Sequence, residues 1–271
     1  MSIVFYNSEF IKEDDLVIKN SNRALNYGDG FFETIKIINT KPFNFSTHYL
    51  RYCFACSILK IDCIEDEESL LLLLNKLIKY NNIVNGSARI RISRSGEGKY
   101  LPNSTSSDIV ISTNDGSGFE LNTPISLCVF SDETKTQGKV SNIKSANALV
   151  SVLGAINAKE NGFDNAILMN TEGNCIEATN SNIFLVKNEV IYTPPITDGC
   201  VDGTMRTWVI QNFNVIEMST SLTDIRDANE VFITNAITGI TAVSMVEGTS
   251  FSNFNYSTKF QEKLVNLSLG L

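Results

Sequence analysis

Three polar sites stand where single side chains can do chemistry. Lys144, in Ile143-Lys144-Ser145-Ala146-Asn147, lies where a polar loop runs into an apolar helical stretch. Desolvation there disfavours the ammonium and makes a lysine available as a base or nucleophile. The alternative is a surface lysine whose stem snorkels to water. Glu177 follows the turn Thr171-Glu172-Gly173-Asn174 and precedes Asn182-Ile183-Phe184-Leu185-Val186, which suits either a buried partner for a cation or a solvated strand end. Gly203-Thr204-Met205-Arg206 opens a helix after Pro194-Pro195 and Gly199. The N–H groups of a helix start bind anions, phosphate above all, unless the start is an ordinary cap. Other chemistries have less to draw on. A single histidine nearly excludes a Ser-His-Asp triad. Cys53-x-x-Cys56 with Cys63 and His48 resembles a sparse zinc constellation. It falls among Leu50, Phe54, Ile58 and Leu59 in a helical stretch, where small buried thiols account for it, and no metal is expected.

The elements that must position these residues mix strands and helices. Strands are expected over 3–6, 31–38, 88–94, 109–113, 125–130, 166–170, 182–186, 189–193, 230–234 and 241–246, with a loop of Ser, Asp, Thr and Gly after Phe130. Helices are expected over 47–60, capped by Ser46 or Thr47, and over 66–80, 146–161, 204–213 and 258–269. The turn-rich segment 114–123 is the best linker. Strict βαβ alternation is absent, so the expected class is α+β in two domains, 1–118 and 119–271. The 271 residues are 43% hydrophobic and 19% charged, the composition of a packed globular protein. A net charge of −8 argues against a nucleic-acid partner. No apolar run approaches the ~18 residues of a membrane span. Residues 1–20 carry Glu9, Glu13, Asp14 and Asp15 and no continuous apolar core, so a cytoplasmic protein without a signal peptide is expected. No Walker sequence or dinucleotide glycine fingerprint occurs in the right context.

Taken together, the blocks resemble one family. They are Arg23-Ala-Leu-Asn-Tyr-Gly-Asp-Gly-Phe-Phe-Glu-Thr-Ile-Lys36, His48-Tyr-Leu-Arg51, Ile143-Lys144-Ser-Ala-Asn-Ala-Leu149, Glu177-Ala-Thr-Asn-Ser-Asn-Ile-Phe184, Tyr192-Thr-Pro-Pro195 and Gly203-Thr-Met-Arg206. In this order the chain resembles the class IV, or fold-type IV, pyridoxal-phosphate aminotransferases over nearly its whole length. The resemblance implies a small α/β N-terminal domain, a larger pseudo-barrel C-terminal domain that binds pyridoxal 5'-phosphate, and a homodimer. It implies that Lys144 carries the cofactor covalently and then shuttles the substrate proton. Glu177 would pair with the pyridine nitrogen and keep the ring an electron acceptor. Arg51 would hold the phosphate with its planar fork, joined by the N–H groups of Thr204 and Met205. His48 would be structural.

Positions that separate the subfamilies point toward 4-amino-4-deoxychorismate lyase. Leu149 replaces the tyrosine of branched-chain enzymes, Phe32 replaces the tyrosine of D-amino-acid enzymes, and Asn235-Ala236 resembles the lyases. Ala242, in place of a usual proline, and Glu33, more frequent in transaminases, depart from the pattern. The implied reaction converts 4-amino-4-deoxychorismate to 4-aminobenzoate and pyruvate, a step toward folate. The alternative is a branched-chain or D-amino-acid aminotransferase. Substrate contacts are expected from Phe32, Asn235 and Ala236. Arg94 and Lys99 are the candidate cations for a dianionic substrate, Lys99 being equally readable as a solvated loop charge.

Overall fold

The computed structural model describes residues 2–63 and 65–270; Met1, Ile64 and Leu271, which fall within the expected domains, lie outside them. Packing divides the chain into two compact units, Met1–Gly118 with Ile143–Asn147, and Phe119–Asn142 with Ala148–Leu271. The chain turns back after Asn142, so the Lys144 segment packs in the first unit although it lies beyond the expected boundary.

The first unit contains β1 (Ile3–Tyr6), β2 (Glu9–Lys12), α1 (Arg23–Tyr27), β3 (Gly30–Ile38), β4 (Lys41–Pro42), α2 (Phe45–Leu59), α3 (Glu67–Tyr80), β5 (Gly86–Arg94) and β6 (Ser107–Asp115). Among the described residues the strands form a six-stranded sheet in the order β2-β1-β6-β5-β3-β4. Alternation along a strand sends successive side chains to opposite faces. Phe31, Ile35 and Ile37 of β3, Ala88, Ile90 and Ile92 of β5, and Ile109 and Ile111 of β6 join one core with α2 and α3. Helix α3 meets it with Leu70, Leu74, Leu77 and Ile78, a helical stripe, and Asp66 caps its start by accepting from Ser69 N–H.

Helix α2 corrects the sequence expectation. It starts at Phe45 after Asn44 in a left-handed conformation, rather than being capped by Ser46 or Thr47. Two of the apolar residues that marked it lie off its inner face, Leu50 at 69% exposed and Phe54 at 37%, while Ile58 and Leu59 pack against the core. The buried side chains are Phe45, His48, Arg51, Tyr52, Ala55 and Cys56. A charged pair dictates that orientation, as shown below.

The second unit contains β7 (Ile125–Lys135), α4 (Lys139–Asn142), α5 (Leu149–Glu160), β8 (Asn165–Asn170), β9 (Cys175–Ala178), β10 (Ser181–Lys187), β11 (Val190–Thr193), α6 (Thr204–Asn212), β12 (Val215–Glu217), α7 (Leu222–Arg226), β13 (Glu230–Asn235), β14 (Gly239–Val246), β15 (Thr249–Ser250) and α8 (Asn255–Leu269). The sheet runs β12-β11-β10-β13-β14-β7-β8-β9, and β9 also pairs with β10. Strands β10, β13, β14, β7, β8 and β9 therefore form a closed ring, which is the expected pseudo-barrel and leaves none of those six with a bare edge. Leu127, Ile167, Ile183, Leu185, Val231, Ile233 and Val243 pack together, while the Phe184–Phe232 stack meets Phe260 of α8. Strand β7 continues to Lys135 where a loop was expected; its polar residues 131–134 are exposed, which hides the strand from an apolar pattern. Helix α5 starts three residues later than expected because residues 144–146 pair with β3.

Helix α8 is tied to the barrel by a buried carboxylate. Glu230 is fully buried and accepts from the N–H groups of Ser257 (2.7 Å) and Tyr256 (3.0 Å) at the start of α8. From the same helix, Gln261 Oε1 accepts from Ile240 N–H at 2.7 Å and Gln261 Nε2 donates to Thr238 O at 3.0 Å. The helix thus fixes the turn after β13. Replacing Glu230 by alanine strands two buried N–H groups, each costing about 1–3 kcal/mol. We expect Glu230→Ala to lose about 2–5 kcal/mol in urea unfolding, with the m-value unchanged; a loss below 1 kcal/mol would refute the role.

Candidate active site

In the first unit the site begins with β3. Glu33 points into the core and is 2% exposed. Its Oε1 accepts from Arg51 Nε at 2.7 Å and its Oε2 from Arg51 Nη2 at 2.6 Å, a fork-to-fork pair. His48 Nδ1 lies 2.6 Å from the same Oε2. Arg51 and His48 are one turn apart on α2, so both reach one strand residue. Burial by itself would raise the Glu33 carboxyl, but the Arg51 charge and the His48 hydrogen bond overcome it and hold it at about 2. Burial lowers His48 against the pull of Glu33. The ring is therefore neutral near pH 7, and its Nδ1–H donates, because an ionised carboxylate can only accept.

The next residue, Phe32, faces the opposite side of the sheet. Lys144 Nζ lies 4.9 Å from its ring centroid and the Arg89 guanidinium 4.3 Å from it. Lys144 is placed by backbone pairing: Phe32 N–H donates to Lys144 O (3.0 Å), Ala146 N–H donates to Gly30 O (2.9 Å), and Ser145 bridges Phe31. The lysine is half-buried on a strand-like segment, not at a helix start. On its other side Gly30 permits the close approach of β5, since a Cβ there would lie 2.3 Å from Ile92 O.

In the second unit Glu177, 4% exposed, is held at both oxygens. Oε1 takes the ammonium of Lys135, and Oε2 accepts from Val201 N–H at 2.8 Å. The same loop passes over Asn182, whose Nδ2 donates to Val201 O at 2.8 Å. It then enters α6 through Gly203, where a Cβ would collide with Asn182 Oδ1 at 1.9 Å. The N-cap is Gly203, which has no side chain, and Thr204 and Met205 in the first turn of α6 are buried. A buried, doubly held carboxylate can accept from a protonated ring nitrogen, and a nine-residue helix that starts at a glycine is of the kind that binds phosphate.

The other expected contacts are placed differently. Arg94 is buried and engaged: Nε donates to Asp29 at 2.9 Å, Nη1 to Lys60 O at 2.9 Å, and Nη2 to Leu59 O. Its donors close the end of α2 and are not offered to a substrate. Lys99 is exposed on a loop whose Gly98 and Lys99 carbonyls accept from Arg23 Nη1, each at 2.8 Å. Asn235 Oδ1 accepts from Ile237 and Thr238 N–H, each at 2.9 Å, and its Nδ2 donates to Ser181. It therefore builds the turn that presents Ala236. Lys135 and Arg89 were not anticipated. Arg89 had one signal, its place two residues from Arg91 on a strand; Lys135 had none. Among the described residues no group of three or more His, Cys, Asp or Glu is placed to hold a metal.

Because the Glu33 carboxyl is depressed, its contribution to stability is present above the ordinary carboxylate range and is lost as pH falls from about 4.5 toward 2. Glu33→Gln leaves Arg51 buried against a neutral amide, which costs about 3–5 kcal/mol at pH 7. Thermal melts from pH 7 to 2 should show that loss and a flatter acid limb in the variant. Equal stability at pH 7 would contradict the pairing.

The amino-transferase class IV family model matches residues 30–246. The chain is 28% identical, over 92% of its length and 90% of the other's, to a protein of Methanocaldococcus jannaschii named as a branched-chain-amino-acid aminotransferase. It is 27% identical to the aminodeoxychorismate lyase of Bacillus subtilis, over 93% and 89% of the two chains. The crystal structure of a branched-chain aminotransferase from Thermoproteus uzoniensis superposes with a TM-score of 0.91 at 22% identity, covering 99% of this chain and 95% of that one, and shows the shared fold. The family match spans well over half of the sequence and both compact units, and the chain belongs to the class IV aminotransferase family.

Proposed function

We propose that the protein is a pyridoxal-phosphate-dependent lyase that converts 4-amino-4-deoxychorismate to 4-aminobenzoate and pyruvate, a folate-forming activity. The observation that carries this reading is the turn after β13. A transaminase must grip a small α-carboxylate tightly, and a hydroxyl or N–H groups in such a turn would serve. Here residue 236 offers a methyl, and the N–H groups of Ile237 and Thr238 already donate to Asn235. Losing hydrogen bonds to a charged group costs about 1.5–3 kcal/mol each. A larger anionic ring substrate instead has a cation available. Arg89 Nε is buried without a hydrogen-bond partner, on the aromatic ring that also meets Lys144.

Pyridoxal phosphate supplies a carbonyl carbon for the substrate amine and a ring that accepts electrons. Lys144 would carry it, Glu177 would meet its ring nitrogen, and Arg51, beyond the Nε and Nη2 that it gives Glu33, would join the N–H groups of Thr204 and Met205 in holding its phosphate. Once the substrate amine has displaced it, Lys144 Nζ would take the proton from C4 of the substrate; the bond from the ring to the enolpyruvyl oxygen would break, the ring would become aromatic, and a proton returned to the enolpyruvate methylene would release pyruvate. Phe32 stacks on the substrate ring and Arg89 pairs with a carboxylate. Lys99 remains the loop cation nearest in sequence for the second carboxylate.

We further infer a cytoplasmic homodimer. Helix α5 leaves Leu149, Val152, Leu153 and Ile156 exposed at helical spacing, a stripe that a second copy covers. No helix of the described residues is long and apolar enough to cross a membrane. A branched-chain or D-amino-acid aminotransferase is the second reading, favoured by the identity to the M. jannaschii protein.

Assaying both reactions decides between them. Pyruvate and 4-aminobenzoate should form from aminodeoxychorismate at least tenfold faster than amino groups pass between leucine or D-alanine and 2-oxoglutarate. Arg89→Ala should raise KM for aminodeoxychorismate roughly tenfold or more, the scale of one lost charged hydrogen bond. Rapid transamination with no pyruvate released from aminodeoxychorismate would overturn the lyase reading.

A further inference from the structure

Lys135 belongs to no motif of the chain, yet it sits on the buried carboxylate of Glu177. It is the last residue of β7, and the pairing with β8 breaks just before it: Phe130 pairs with Leu168, then Lys135 with Asn170. Five residues of β7 are thus set against two of β8. A bulge of this kind re-aims a side chain. Residues 131–134, which span the break, are exposed, so no demand of the core explains the three extra residues. What the bulge delivers is the Lys135 ammonium, whose side chain is 16% exposed, onto Glu177 Oε1.

We propose that Lys135 is a positioning residue for Glu177: from the side opposite Val201 N–H it fixes the orientation of the carboxylate and keeps its negative charge in place for the ring nitrogen of the cofactor. This rests on the pyridoxal-phosphate reading given above. With both oxygens anchored, the carboxylate has one orientation, and each oxygen still has lone-pair capacity for a further donor. Without Lys135 a buried charge would keep a single neutral N–H, and charges in that position are costly. The charges also meet at Cys200. Burial pushes its thiol up to about 12, with Glu177 acting in the same sense and Arg206 and Lys135 opposing it.

Equilibrium binding tests this through the sole tryptophan, Trp208 of α6. Pyridoxal phosphate is titrated into cofactor-stripped protein, and Trp208 fluorescence is followed. Lys135→Met should weaken binding tenfold or more, Lys135→Arg should restore most of the affinity, and Lys135→Gln, which donates without a charge, should fall between. In a Glu177→Gln background Lys135→Met should change nothing further, because the two act as a unit. Melting curves of the stripped proteins identify any variant that does not fold, in which case the Gln and Arg variants carry the comparison. Equal affinity of wild type and the Met and Gln variants overturns the proposal. So does a full additional loss in the Glu177→Gln background, which would place Lys135 on another partner. A wild type that takes up no pyridoxal phosphate overturns the cofactor reading instead.

Discussion

The orientation of helix α2 on the first unit depends on one carboxylate buried beneath it. Glu33 draws Arg51 and His48 inward, which rotates α2 so that its charged residues face the sheet while Leu50 and Phe54 face out. A buried ion pair is a weak source of net stability but a strong source of specificity here, since any other rotation of α2 would bury charge without a partner. The same strand then sends Phe32 to the other face, one residue away, where it meets Lys144 and Arg89. The two-residue period of β3 thereby couples the packing of a helix to the placement of an amine.

The second unit solves a different problem, holding a negative charge beside a helix start. One short loop does both tasks. Its Val201 N–H anchors Glu177, its Val201 carbonyl takes Asn182, and it runs straight into α6. Asn142 fixes the base of that loop through Ile196 O and Cys200 O, and its own carbonyl accepts from Asp202 N–H. The closed ring of strands supplies the rigidity, because its six members leave no edge to fray. Elements this constrained can hold reacting groups to fractions of an ångström, which is what orientation-dependent catalysis needs.

Much of this was legible in the sequence, and the omissions have physical causes. Helix α3 and strands β3, β5, β10, β13 and β14 show clean apolar periods, and each lies where its period places it, give or take a residue or two. The ordered motif blocks singled out Lys144, Glu177 and the start of α6 as candidates. The inner face of α2 was misread because apolar periodicity cannot see a buried Glu–Arg–His cluster, although Glu33, His48 and Arg51 were all in view. Helix α7 carried a capping box, Ser221 with Asp224, that went unused. Arg94 looked like a substrate cation because sequence gives charge but not commitment, and Asp29 with two carbonyls claims it. Lys135 was invisible because a bulge, not a spacing rule, brings it to Glu177.

The central claim is that Lys144 is the residue that carries the cofactor. Reducing the pyridoxal-phosphate-loaded protein with borohydride makes that linkage permanent, and peptide mass spectrometry then locates it. The account predicts a phosphopyridoxyl group on the peptide containing Lys144 and on no other, with none retained in Lys144→Ala. Modification centred on another lysine, or a Lys144→Ala protein that still keeps a reduced adduct, would contradict it.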